Sequence, residues 1–172
     1  MKTFFYLALF SICLISCKPS RDEALVYNDK IVAFQKAIDN KEVALLEAFK
    51  TREPEIIDKA YTDFKSQITI SAKELETLGT FDEQAYFIEG ARSLFSTYKA
   101  VAEKEYNTLV DINKMNDSLY TEDVQAMDDE NTKAINSKLD SGLAEFTAIQ
   151  EKFAAEYDFI FEKTGEKQAE FE

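Results

Sequence analysis

The chain has 172 residues, 33 of them acidic and 20 basic, for a formal charge of −13, with no histidine and no tryptophan. That length supports one domain with a sizeable core, and the charge disfavours a phosphate backbone as partner, so no nucleic acid is expected. The lack of histidine removes the commonest general base and the commonest transition-metal ligand together.

Residues 1–16 read as a secretory leader. Lys2 supplies the positive start, and Phe4 to Ile15 form an apolar stretch that is shorter than the roughly twenty residues needed to span a bilayer. The stretch ends in Leu14-Ile15-Ser16-Cys17, which resembles a bacterial lipobox, and Lys18-Pro19-Ser20-Arg21 then turns polar. The competing reading, a short uncleaved anchor with a chance cysteine, fits the short apolar run poorly. On the lipobox reading Cys17 carries the acyl chains that tie the protein to a lipid bilayer, since two or three chains give stable anchoring. Cys13 then leaves with the leader, and neither a disulfide nor a thiol nucleophile is expected. Residues 17–23 are expected to form a lipidated tether.

Four Gly and two Pro argue against a loop-rich or β-rich fold. Apolar residues recur at helical spacing from Ala24 to Lys50, through Tyr27, Ile31, Phe34, Ile38, Leu45 and Phe49. The turn Asn40-Lys41-Glu42 interrupts that stripe, and Thr51 or Glu53 with Pro54 marks a new start. A second helix runs from Glu55 to Leu78 on Ile57, Tyr61, Phe64, Ile68 and Leu75, and Gly79 stops it. A third is expected from an N-cap at Asp82, through Phe87, Leu94, Tyr98, Tyr106 and Ile112. Gly90 inside it costs about 1 kcal/mol relative to Ala. Asn116-Asp117-Ser118 breaks the pattern, and a fourth helix runs from Glu122 to Lys163. Its stripe at Ile135, Leu139, Gly142, Phe146, Ile149, Phe153, Tyr157 and Ile160 alternates steps of four and three. Gly165 is the expected stop, with 166–172 as a flexible tail. The expected fold is all-α, an antiparallel up-down-up-down four-helix bundle over 24–165 with long third and fourth helices. The hairpin between those two helices should overhang by about 15 Å and point away from the membrane.

Chemistry is sparse. A di-iron bundle needs Glu-x-x-His pairs, which this chain cannot supply. The start of an EF-hand at Asp111 and Asn113 fails at Met115 and lacks the central Gly. A phosphate-cradling Gly-rich loop is missing, and carboxylate pairs on helix surfaces ordinarily mark a solvated face. No catalytic residue, metal site or cofactor is assigned. The distal hairpin gathers Asp117, Glu122, Asp123, Asp128, Asp129 and Glu130, with Asp111, against Lys114 and Lys133. This tip is the candidate surface for a protein or other macromolecular partner. Weak cation binding and simple solvent exposure are the competing readings of the same acids. The aromatic stripes read as core, although a bundle lined by Phe and Tyr could hold a small apolar ligand.

The run Val26-Tyr27-Asn28-Asp29-Lys30-Ile31-Val32 behind the lipobox, Ala60-Tyr61, Leu94-Phe95 with Tyr98-Lys99, and Phe153-Ala154 with Tyr157 resemble the pattern of a family of short bacterial surface lipoproteins. That family is known mainly from spirochaetes and Bacteroidota. The resemblance spans nearly the whole mature chain and implies placement alone, because the family has no established activity. The expected function is a non-enzymatic, membrane-anchored surface lipoprotein that binds an unidentified partner. The alternative is a periplasm-facing bundle that sequesters a small apolar ligand or metal ion. Lys18 behind the cysteine points to the outer membrane, either surface-exposed or facing the periplasm.

Overall fold

A computed structural model describes residues 18–161. The leader, Cys17, Lys163, Gly165 and the 166–172 tail lie outside them. Among the described residues the chain is all-helical without a strand. Four helices are present, the third in two pieces: α1 Arg21–Thr51, α2 Pro54–Leu78, α3 Tyr86–Glu103 with α4 Glu105–Asn113, and α5 Glu122–Glu156. A 3-10 turn, Asp117–Leu119, leads into α5. No described helix is long and apolar enough to cross a membrane.

Local chemistry sets the first boundaries. Ser20 caps α1 through a capping box: its Oγ accepts from the Glu23 N–H at 3.3 Å, and the Glu23 carboxylate accepts from the Ser20 N–H at 2.8 Å. The helix therefore claims Arg21 to Glu23, which the tether was expected to hold. The Ser-x-x-Glu spacing carries that signal. Thr51 organises the first turn, donating to the Ala48 carbonyl and accepting from the Glu53 N–H, and Pro54 opens α2. Gly79 then ends α2 at φ +71°, a backbone conformation that glycine adopts at no steric cost.

The start of α3 differs from the expectation. Asp82 and Glu83 are both left-handed (φ 50° and 62°), in a tight turn closed by the Gln84 N–H on the Phe81 carbonyl at 2.9 Å. Two left-handed residues cannot open a helix, so Asp82 is no N-cap. Its carboxylate accepts instead from the Tyr157 hydroxyl at 3.0 Å, and α3 starts at Tyr86.

The expected single third helix breaks at Lys104 (φ −115°, ψ −76°). The cause lies on α2. The Tyr61 hydroxyl donates to the Ala102 carbonyl at 2.8 Å, where an unbroken helix would receive the Tyr106 N–H. At the other end, α5 stops at Glu156, short of Lys163. Asp158 is left-handed (φ 55°), and the Phe159 N–H closes back onto the Ala154 carbonyl at 3.0 Å. The reversal packs Phe159 on Phe153 and leaves Ile160, placed on the stripe by its spacing, 90% exposed.

The predicted stripes otherwise line the core. Tyr98, Tyr106, Phe64, Phe87, Phe146 and Phe153 are its largest fully buried side chains. Contacts between α1 and α2 run from Tyr27–Gly79 through Phe34–Ser71 to Lys41–Asp63. Those between α3 and α5 run from Phe87–Phe153 through Gly90–Ile149 to Leu94–Gly142.

Candidate functional site

The core carries a polar spine that the apolar stripes alone do not reveal. Asn28 and Gln150 are both about 1% exposed and join α1 to α5, the Gln150 amide donating to Asn28 Oδ1 at 3.0 Å. The Tyr98 hydroxyl donates to Asp39 at 2.5 Å, and the Tyr106 hydroxyl donates to Glu42. Burial first, and then the neighbouring carboxylate, raises both phenols well above their ordinary value. The polar turn that interrupts the α1 stripe, with Asp39 just before it, thus supplies acceptors for two buried tyrosines.

Glu105, 3% exposed, is the most buried carboxylate of this spine. Lys138 Nζ donates to its Oε1 at 2.8 Å, and Lys104 Nζ lies at 3.6 Å. Its Oε2 has no hydrogen-bond partner among the described residues. Burial pushes its carboxyl up, but the Lys138 hydrogen bond, its own backbone N–H and the two lysine charges outweigh that and hold it below the usual range. The pair ties the start of α4 to α5, with Glu105 buried and Lys138 half-exposed. Among the described residues no group of three or more His, Cys, Asp or Glu is arranged to hold a metal ion.

A groove of about 270 Å³ opens on the surface between α2 and α3. Ile68, Ala72, Leu75 and Phe95 supply its apolar lining, with Arg92 and Glu76 among its polar groups. Those two form a bidentate pair at 2.6 and 2.9 Å, so the guanidinium is already matched.

The tip between α4 and α5 has a defined shape. Asn116 accepts from the Ser118 N–H to start the 3-10 turn, and Thr121 caps α5 through the Val124 N–H. Tyr120 donates to Asp128 at 2.9 Å while its ring faces the Arg52 guanidinium at 5.8 Å. Asp128 is therefore half-buried and structural, unlike the exposed Asp117, Glu122, Asp123, Asp129 and Glu130. These five form no ion pair with any described residue. Lys114 is drawn away, to Asp58 at 2.7 Å. Apolar side chains share the tip with the acids: Leu119 is 61% exposed, Met127 47% and Met115 37%. Met115, Leu119 and Met127 were legible as apolar residues off the helical stripes, and that off-stripe position was the available signal.

At the opposite end, Lys18 reaches the Glu156 carbonyl at 3.2 Å and lies 4.7 Å from the Tyr157 ring centroid. The chain next to Cys17 is thereby held against the end of α5. Comparison with known protein families, curated proteins and solved structures finds no match for this chain.

Proposed function

We propose that this protein is a membrane-anchored, non-enzymatic interaction module, tied to a bilayer through acylated Cys17 and presenting its α4–α5 tip to a partner macromolecule. The observation that carries the reading is the exposure of Leu119, Met127 and Met115 among unpaired carboxylates. Buried apolar surface is the main source of affinity at protein interfaces, and apolar side chains grouped with unpaired charge mark such sites.

The reading includes the finer architecture, an up-down-up-down antiparallel bundle. The descending order of the α1–α2 and α3–α5 contacts supports it. So does the position of Lys18 beside the end of α5. At 1.5 Å per residue, α5 separates that end from the tip by about 50 Å. None of residues 122–134 is fully buried, and the first fully buried residue of α5 is Ile135, so the start of α5 is its most accessible stretch. An outer-membrane location, with kinship to short surface lipoproteins, completes the proposal.

The test compares the full-length protein with its Leu119→Ser/Met127→Ser variant and with Cys17→Ala. The partner is expected to co-purify from the envelope with the wild type and to be lost with the tip variant. Cys17→Ala should leave the membrane fraction. Equal recovery by wild type and tip variant would overturn the role of the tip, and a membrane-bound Cys17→Ala would overturn the anchor. The groove between α2 and α3 favours a second reading, capture of a small apolar ligand. Native mass spectrometry of the detergent-solubilised protein tests it, and a bare-chain mass sinks it.

A further inference from the structure

We infer that the tip receives a basic, apolar-faced segment of another protein. This rests on the interaction reading above and names the chemistry of the partner. Residues 111–133 carry seven acids and two lysines, a far denser negative charge than the chain as a whole. One of the two lysines, Lys114, is turned back to Asp58 and Asp111. Asp117, Glu122, Asp123, Asp129 and Glu130 form no ion pair with any described residue, which leaves them open to the positive charge of a partner. Glu122 and Asp123 sit in the first turn of α5, where the helix dipole offsets part of their charge. Asp129 and Glu130 lie beyond that turn.

The apolar side chains narrow the occupant. A polycation without apolar groups would leave Leu119 and Met127 in water. A purely apolar partner would strip water from unpaired carboxylates, which is costly. A segment with both features meets both demands. Its apolar face covers Leu119, Met127 and the adaptable Met115, while its Lys and Arg side chains meet the acids at the rim. An anionic lipid surface or a nucleic acid is repelled by the same charge.

The experiment places a photo-crosslinking amino acid at position 119 of the full-length protein in the cells that make it, with position 137 on exposed α5 surface as control. The captured peptide is sequenced by mass spectrometry. The expected adduct at 119 is a protein segment rich in Lys or Arg with interspersed apolar residues. The triple variant Asp123→Asn, Asp129→Asn, Glu130→Gln should lower its yield about tenfold at low salt, the effect of losing three exposed charge contacts. These residues are exposed and unpaired, so the fold tolerates the change. An adduct with an acidic or neutral protein segment or with a polysaccharide overturns the inference and leaves the interaction reading standing, and a lipid adduct overturns both. An unchanged yield in the triple variant overturns the inference alone. No adduct at 119 beyond that at 137 overturns both.

Discussion

Gly90 sits within α3 on ordinary helical backbone, so glycine there needs a reason other than conformation. A Cβ at this position would meet Ile149 Cδ1 at 2.6 Å and Cγ2 at 3.2 Å. The Cδ1 can swing aside, but Cγ2 moves only with the stiff χ1 of a β-branched residue. Gly90→Ala gains about 1 kcal/mol of helix propensity and pays about 2 kcal/mol for overpacking, within the usual 1–3 kcal/mol range. The net loss is about 1 kcal/mol, seen as a fall of about 4 °C in Tm. In an Ile149→Ala background the obstacle is gone, and Gly90→Ala should then stabilise by about 1 kcal/mol. The two backgrounds thus differ by about 2 kcal/mol, well above the error of a double-mutant cycle. Gly142→Ala is the internal control: its nearest neighbour is Leu94 Cδ1 at 3.3 Å, a flexible end, so the change should be neutral or slightly stabilising. Urea unfolding followed by circular dichroism measures all of these. If Gly90→Ala stabilises equally in both backgrounds, close approach of α3 and α5 is not what glycine serves there.

Tyr98 and Tyr106 hold their protons in the fold above the ordinary value of about 10. Their contribution is intact below pH 10 and is lost as pH rises past it, because the unfolded chain releases protons that the fold retains. Each removes about 1.4 kcal/mol by pH 11, so the urea midpoint should fall clearly between pH 8 and pH 11, and a flat profile would contradict the buried assignment. Lys138→Met leaves Glu105 with its own backbone N–H and the more distant Lys104 and should destabilise by about 3 kcal/mol in urea unfolding; a loss under 1 kcal/mol would mean Glu105 reaches water. Tyr61→Phe removes the donor on the Ala102 carbonyl and should cost about 1–2 kcal/mol by the same assay. A negligible effect there, with new amide-exchange protection at Tyr106, would show the helix closing across Lys104 by itself.

The helical class and most core positions were legible in the sequence, because period-3.6 stripes report which face is buried whatever packs against it. Ile31, Ile38, Phe64, Tyr98 and Phe146 lie where their spacing predicts. Starts with a local side-chain cap were legible too, as at Thr121, and the one at Ser20–Glu23 was present to be read. Of the tip, its acids were visible, but which ones are free was not: Asp128 is taken by Tyr120, and Lys114 by Asp58 across 56 positions. The remaining differences share one cause. The break at Lys104 depends on a hydroxyl from α2, and the end of α5 at Glu156 on the packing of Phe159 against Phe153. Gly90 depends on Ile149. Local propensity knows only its own neighbours in the chain. Where a group from a distant helix supplies or denies a hydrogen bond, or occupies the space a side chain would need, only the tertiary structure decides.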